Sequence, residues 1–243
     1  MESSNCNRET GLTRQALALL MFGLLLVGVS IPESLGQSHQ QERENVTLEG
    51  SHTDMQFLAG RSIHVSADVA DDVFAAGRNV TFDGAKAENA IVAGYDVDLR
   101  GGTVADMITA ASTIRIAGVI EDDLVAAARS MRITSEGAID SDARLAAETI
   151  DMEGGIEGSL RAAARRITDA GEIGGKADFL AERIVIAPSA SIAGDLIYRS
   201  GTEPEIADGA TIGGEIRRVE SDMPDLTSVG FTMLRVGLMI ALS

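Results

Sequence analysis

The sequence has no tryptophan, two tyrosines, six phenylalanines, four prolines and one cysteine in 243 residues. Aromatics at 3% cannot supply the large buried rings on which an irregular globular core of this size leans. The lone Cys6 excludes a disulfide framework and a cysteine zinc site. Cations are scarce as well: 20 Lys and Arg against 37 Asp and Glu leave a net charge of −17. Nucleic acid needs a cationic footprint, so it is not an expected partner. The same charge opposes anionic headgroups, so any membrane contact has to be apolar. No Gly-Lys-Ser/Thr phosphate loop and no Gly-x-Ser-x-Gly nucleophile elbow occurs. What is present is 45% hydrophobic residues, drawn from Ala, Ile, Val, Leu and Met, with 26 glycines. That mixture favours a regular stack of small layers.

Both ends carry apolar stretches. Residues 16–31 are uncharged and follow Arg8 and Arg14; Ser34, Leu35 and Gly36 then offer small residues where a signal peptidase reads. This layout predicts a secretory signal peptide over 1–36, cleaved after Gly36, since sixteen residues fall short of the ~20 a spanning helix needs. Cleavage removes two Arg and three Glu, one net negative charge, and leaves −16. A mature chain without cysteine suits an exported, oxidising compartment, the periplasm or cell envelope. Residues 37–44 read as a linker and 220–243 as an apolar tail. Phe231, Leu234, Leu238 and Ile240 are its candidate membrane contacts. The tail is too short to span a bilayer alone. A stub of a membrane region, an interfacial helix and a helix packed over one end of the domain all remain open.

Residues 45–219 carry a repeat. Val46, Ile63, Val80, Val97, Ile114 and Met131 are spaced by 17; after a step of 19 come Ile150, Ile167 and Ile184, again spaced by 17. Two residues beyond each stands Leu48, Val65, Phe82, Leu99, Ile116, Ile133, Met152, Asp169 or Ile186, all apolar but one. Pairing at i and i+2 is a strand signature, with both side chains on one face. Four residues before the anchors run Ala59, Ala76, Ala93, Ala110, Ala127, Ala146, Ala163 and Leu180, and one later Gly60, Gly77, Gly94 and then alanines, which predicts a crowded corner. Val69, Val104, Ile120, Ile139, Ile156, Ile173 and Ile192 form a looser third column. The extra two residues at Thr134-Ser135-Glu136-Gly137 read as a bulged corner, and Gly201-Thr202-Glu203-Pro204 as a longer loop.

Seventeen residues at ~3.3 Å trace roughly 56 Å, enough for three short strands and their corners. One such lap cannot bury its own apolar residues, whereas stacked laps can. The expected fold is therefore all-β: a single-stranded parallel β-helix of about ten laps, near 45 Å long at ~4.8 Å per lap. An N-terminal signal helix and a short C-terminal apolar helix would flank it. A helical repeat is the alternative, and the β-branched anchors and i, i+2 pairs oppose it.

The units resemble those of bactofilins, the bacterial polymer-forming cytoskeletal proteins. The likeness rests on Ile192-Ala193-Gly194-Asp195-Leu196-Ile197-Tyr198, on Ala210-Thr211-Ile212-Gly213-Gly214, and on the inner units Asp71-Asp72-Val73-Phe74-Ala75-Ala76-Gly77 and Asp122-Asp123-Leu124-Val125-Ala126-Ala127. It covers roughly residues 45–218. The resemblance implies a right-handed β-helix that polymerises end to end without bound nucleotide. Typical bactofilins are cytoplasmic; some relatives with this repeat carry a signal peptide and a C-terminal membrane region, and the tail here is similar to the start of such a region.

Catalytic chemistry is not expected. The histidines are His39, His52 and His64, and the last two, 12 apart, would not stack. A hexapeptide-repeat carbonic anhydrase needs three His on zinc, and a hexapeptide acyltransferase needs 18-residue laps and a His base. Asp72, Asn89, Asp106, Asp123, Asp142 and Asp195 form a polar column. It reads either as a weak Ca²⁺ or Mg²⁺ ladder or, as we favour, as corner carboxylates accepting from turn N–H groups. Arg61, Arg78, Arg129 and Arg165 read as a solvated face. Asn45 and Asn79 fit the glycosylation pattern but belong to strands, so both matches read as coincidence. The expectation is a structural protein with no cofactor, no metal and no catalytic residue, whose partner is itself. Contacts would be Val46 and Leu48 at one end, Ile206 and Ile212 at the other, with a membrane as a second partner through the tail. A cell-envelope binding module, holding polysaccharide or protein on the flat faces, is the alternative; an enzyme comes third.

Overall fold

The structure, a computed structural model, describes residues 44–220. The chain divides into two units, Met1–Gln41 and Glu42–Ser243. The signal segment expected over 1–36, the linker up to residue 43, and the tail from 221 with Phe231, Leu234, Leu238 and Ile240 lie outside the described residues.

Every element among the described residues is a strand. In chain order these are β1 (Asn45–His52), β2 (Gln56–Val69), β3 (Val73–Asp83), β4 (Lys86–Ile120), β5 (Leu124–Ile133), β6 (Ala138–Ile139), β7 (Ala143–Met152) and β8 (Gly155–Ile156). Then follow β9 (Leu160–Asp169), β10 (Glu172–Ile173), β11 (Ala177–Ile186), β12 (Ser191–Ile192), β13 (Leu196–Arg199), β14 (Glu205–Ile206), β15 (Thr211–Ile212) and β16 (Ile216–Arg218). All ladders between them are parallel, and together they make an all-β parallel solenoid of about ten laps.

The register follows the repeat. Val46 pairs with Ile63, Ile63 with Val80, Val80 with Val97, and Ile114 with Met131. Met131 pairs with Ile150 across the 19-residue lap, and Ile150, Ile167 and Ile184 continue the file. Each lap has three walls. In the lap of Val80 the first wall is residues 73–77 and the second 79–83; the third is best defined by β6, β8, β10, β12 and β15. Two adjacent exposed residues, such as Arg78 and Asn79, mark the corner between the first two walls. The two-residue surplus at 134–137 is absorbed by a turn in which Gly137 N–H donates to Thr134 O at 2.8 Å. The later, longer laps reuse that device: Ala190 N–H donates to Ala187 O, and Ala210 N–H to Ala207 O. Extra residues thus bulge outward while the inner file keeps its register.

The core is one continuous file of apolar side chains from Ile63 to Tyr198. From Ile63 onward the anchor and i+2 columns are buried as expected, and so are the third-wall residues Val69, Val104, Ile120, Ile139, Ile156, Ile173 and Ile192. One part of the sequence reading needs correction. Ala59, Ala76, Ala127 and Ala146 stand on the outer face of the first wall, exposed, and do not crowd a corner. The tight column is the neighbouring one: a Cβ on Gly77 would lie 2.4 Å from Gly60 O, so laps there touch backbone to backbone. The first wall is filled from inside by two further columns, at Val73, Ala90, Met107, Leu124, Ala143, Leu160 and at Ala75, Val92, Thr109, Ala126, Leu145, Ala162.

Candidate functional site

The repeat makes its ends chemically unlike its middle. Inside the stack an anchor is sealed above and below: Val80, Ile114, Met131 and Ile150 are all 0% exposed. At the first lap β1 has one partner among the described residues, β2, and Val46 and Leu48 face inward yet stay only half-buried. At the last lap β14, β15 and β16 each pair with one earlier strand, β11, β12 and β13. Ile206 continues the Ile186 position and is 39% exposed; Ile212 continues Ile192 and is half-buried. Ile216, which continues Leu196, is 51% exposed and belongs to the same surface. Its signal was present in the sequence, since Ile216 follows Leu196 by the same 20 residues that separate Ile186 from Ile206. The end laps therefore present three inward apolar side chains at each end, Val46, Leu48 and Leu58 at the first and Ile206, Ile212 and Ile216 at the last, each with a row of backbone donors and acceptors unpaired among the described residues.

The aspartate column is structural in its bonding. Asp106 Oδ1 accepts from Asp123 N–H at 3.0 Å, Asp142 Oδ1 from Ser159 N–H at 2.8 Å, and Asp195 Oδ1 from Glu215 N–H at 2.9 Å. Asp123 Oδ1 accepts from Asp142 N–H and from the Ser141 hydroxyl, and Asp72 Oδ1 from Asn89 Nδ2 at 2.6 Å. Asp106, Asp123, Asp142 and Asp195 thus cap the corner of the next lap, each satisfying a backbone N–H that the strand ladder leaves free, while Asp72 is held by a side-chain amide. Desolvation holds the Asp106 carboxyl above its ordinary pKa, against the opposing pull of the Asp123 N–H. Asp71, Asp72 and Glu88 bring three carboxylates within 4.8 Å of one another. His52 Nε2 lies 3.0 Å from Glu49 O, and His64 pairs in register with Thr47 and Thr81, so the two histidines do not meet. A shallow, open depression of about 400 Å³ on the third wall is lined by Lys86, Glu88, Thr103 and Glu121. Asn45 and Asn79 lie in β1 and β3.

One core position departs from its column. Asp169 occupies the place held by Met152 one lap before and Ile186 one lap after, and is 0% exposed. Its Oδ1 accepts from Gly171 N–H at 3.1 Å, while Oδ2 has no partner. Burial pushes its carboxyl up to about 6.

Among the described residues no helix is long and apolar enough to cross a membrane. No family model, curated protein or solved structure matches the chain.

Proposed function

We propose that the chain is a structural, bactofilin-like protein that self-associates by stacking one solenoid end on another. The observation that carries this reading is the exposure of inward-facing side chains at both ends: Ile206 and Ile216 at the last lap, Val46 and Leu48 at the first. A second copy would supply the missing lap. It would cover the six end side chains, Ile212 and Leu58 included, at about 1 kcal/mol each for half-exposed groups, and pair the free backbone edge. Such a contact needs no nucleotide and no cofactor. On this reading the solenoid winds right-handed, the signal helix exports the chain to the cell envelope, and the tail residues Phe231, Leu234, Leu238 and Ile240 hold the assembly at a membrane. Sedimentation of residues 37–222 tests it: association that grows with concentration, and that Ile206→Glu with Ile216→Glu abolishes, supports end stacking. A monomer at high concentration overturns it.

A further inference from the structure

The outer face of the first wall carries a second contact surface. Five outward residues stand in consecutive laps: Phe57, Phe74, Ile91, Ile108 and Val125. Phe57 pairs in register with Phe74, Phe74 with Ile91, and Ile108 with Val125. Phe57 is 73% exposed, Val125 40% and Ile108 36%, and the Phe57 and Phe74 rings stack at 5.0 Å. Beside them runs the column of outward alanines from Ala59 to Ala127. Each of these laps thus offers one large and one small apolar group, side by side. Above Val125 the column turns charged at Arg144, which pairs with Asp123 and Asp142. A contiguous exposed apolar patch on so acidic a chain marks an interaction surface.

The rims of this face say what covers it. On one rim lies the aspartate column, including the Asp71, Asp72 and Glu88 cluster, which makes no ion pair among the described residues. On the other lie Arg78 and Arg129, likewise without an ion pair among the described residues; Arg78 rests over the Tyr95 ring at 5.5 Å. A second copy related by a two-fold axis parallel to the solenoid axis brings every lap opposite its own counterpart and reverses left and right. Arg78 is then set against the unpaired acidic cluster of its own lap and Arg129 against Asp123, while Tyr95 and Ser112 meet Asn89 and Asp106. The large column meets the alanine column, so each Phe or Ile seats over an Ala. A two-fold axis across the wall would put Asp on Asp and Phe on Phe, leaving the alanines facing a gap. Six residues at ~3.3 Å make the wall about 20 Å wide, and the five apolar laps at ~4.8 Å cover about 480 Å² per copy. That places the contact at the small end of specific interfaces, below the ~800 Å² per partner of a standard-size one.

We infer that two copies pair side by side, in parallel, through this face. The contact uses the outer side of the wall and not the inward side chains of the end laps, so it is independent of end stacking.

The test uses the purified full chain with Ile206→Glu and Ile216→Glu, which removes end contacts. Sedimentation is expected to give twice the mass of one chain, falling to one chain on adding Phe57→Glu and Ile108→Glu, with the circular dichroism unchanged. Cysteine pairing gives a second readout that does not depend on those charges. In a Cys6→Ser background, the Ile108→Cys chain mixed with the Ala110→Cys chain is expected to form the mixed disulfide in at least tenfold excess over either chain with itself. A single-chain mass before the face is altered overturns the proposal. So does a mixed disulfide no more abundant than the Ile108→Cys homodisulfide, or an Ile108→Cys crosslink to a cysteine placed in the tail at 231–242.

Discussion

Asp169 gives the fold a measurable pH dependence. A carboxyl that titrates near 3.8 in an open chain is held at about 6 in the folded one, because burial opposes its charge. The folded state therefore keeps the proton after the unfolded state has lost it. Its contribution is fully present below about pH 4, falls as pH rises through about 6, and is flat above. A shift from 3.8 to about 6 amounts to about 3 kcal/mol, at ~1.4 kcal/mol per unit. Asp169→Asn keeps the acceptor for Gly171 N–H and removes the titration. Urea unfolding of both chains, followed by circular dichroism at pH 4 and pH 8, reads the effect as a difference between two curves. That difference cancels the other carboxylates, Asp106 included. The variant is expected to gain about 3 kcal/mol on the wild type between the two pH values. Two parallel curves would refute the reasoning and place the Asp169 carboxylate in contact with water.

The other expectations concern the laps. A Cβ at Gly171 would lie 2.0 Å from Gly154 O, so Gly171→Ala should cost at least about 2 kcal/mol, while Gly155→Ala, with nothing within 4 Å, should cost well under 1. Ile114→Ala opens a cavity in the middle of the file and should destabilise by about 2–5 kcal/mol, measured by thermal unfolding. Asp123→Ala strands the Asp142 N–H and the Ser141 hydroxyl and should cost about 1–3 kcal/mol, and added Ca²⁺ should not shift the wild-type Tm; a large Ca²⁺-dependent rise would restore the cation-ladder reading of that column.

The sequence displayed the second wall most clearly, because its inward positions are filled almost entirely by large or β-branched residues such as Val80, Phe82, Ile114 and Ile116. Lap length was legible for the same reason, and the irregular laps could be located by where the spacing slipped. The first wall was obscured. In Val73-Phe74-Ala75-Ala76 the inward residues are Val73 and Ala75, while the bulkiest side chain, Phe74, points out. A period-two reading weighted by size follows the phenylalanine to the wrong face, and alanines on both faces carry no contrast to correct it. That is why the outer alanines read as a crowded corner and why the Phe57 to Val125 face is not legible in the sequence. Asp169 was visible only as an exception in its column; that it is buried with an unpartnered oxygen depends on the laps above and below. At the ends, Val46, Leu48, Ile206 and Ile212 followed from the repeat, and Ile216 needed the 20-residue spacing of the last laps to be carried one strand further.

Electron microscopy of the purified chain bears most directly on the claim that these laps continue from one molecule to the next. Stacking end on end predicts filaments whose subunit repeat is about 48 Å and whose axial backbone spacing stays at ~4.8 Å across the junction between copies. Isolated particles at every concentration, or filaments that persist unchanged in the Ile206→Glu, Ile216→Glu chain, would contradict it.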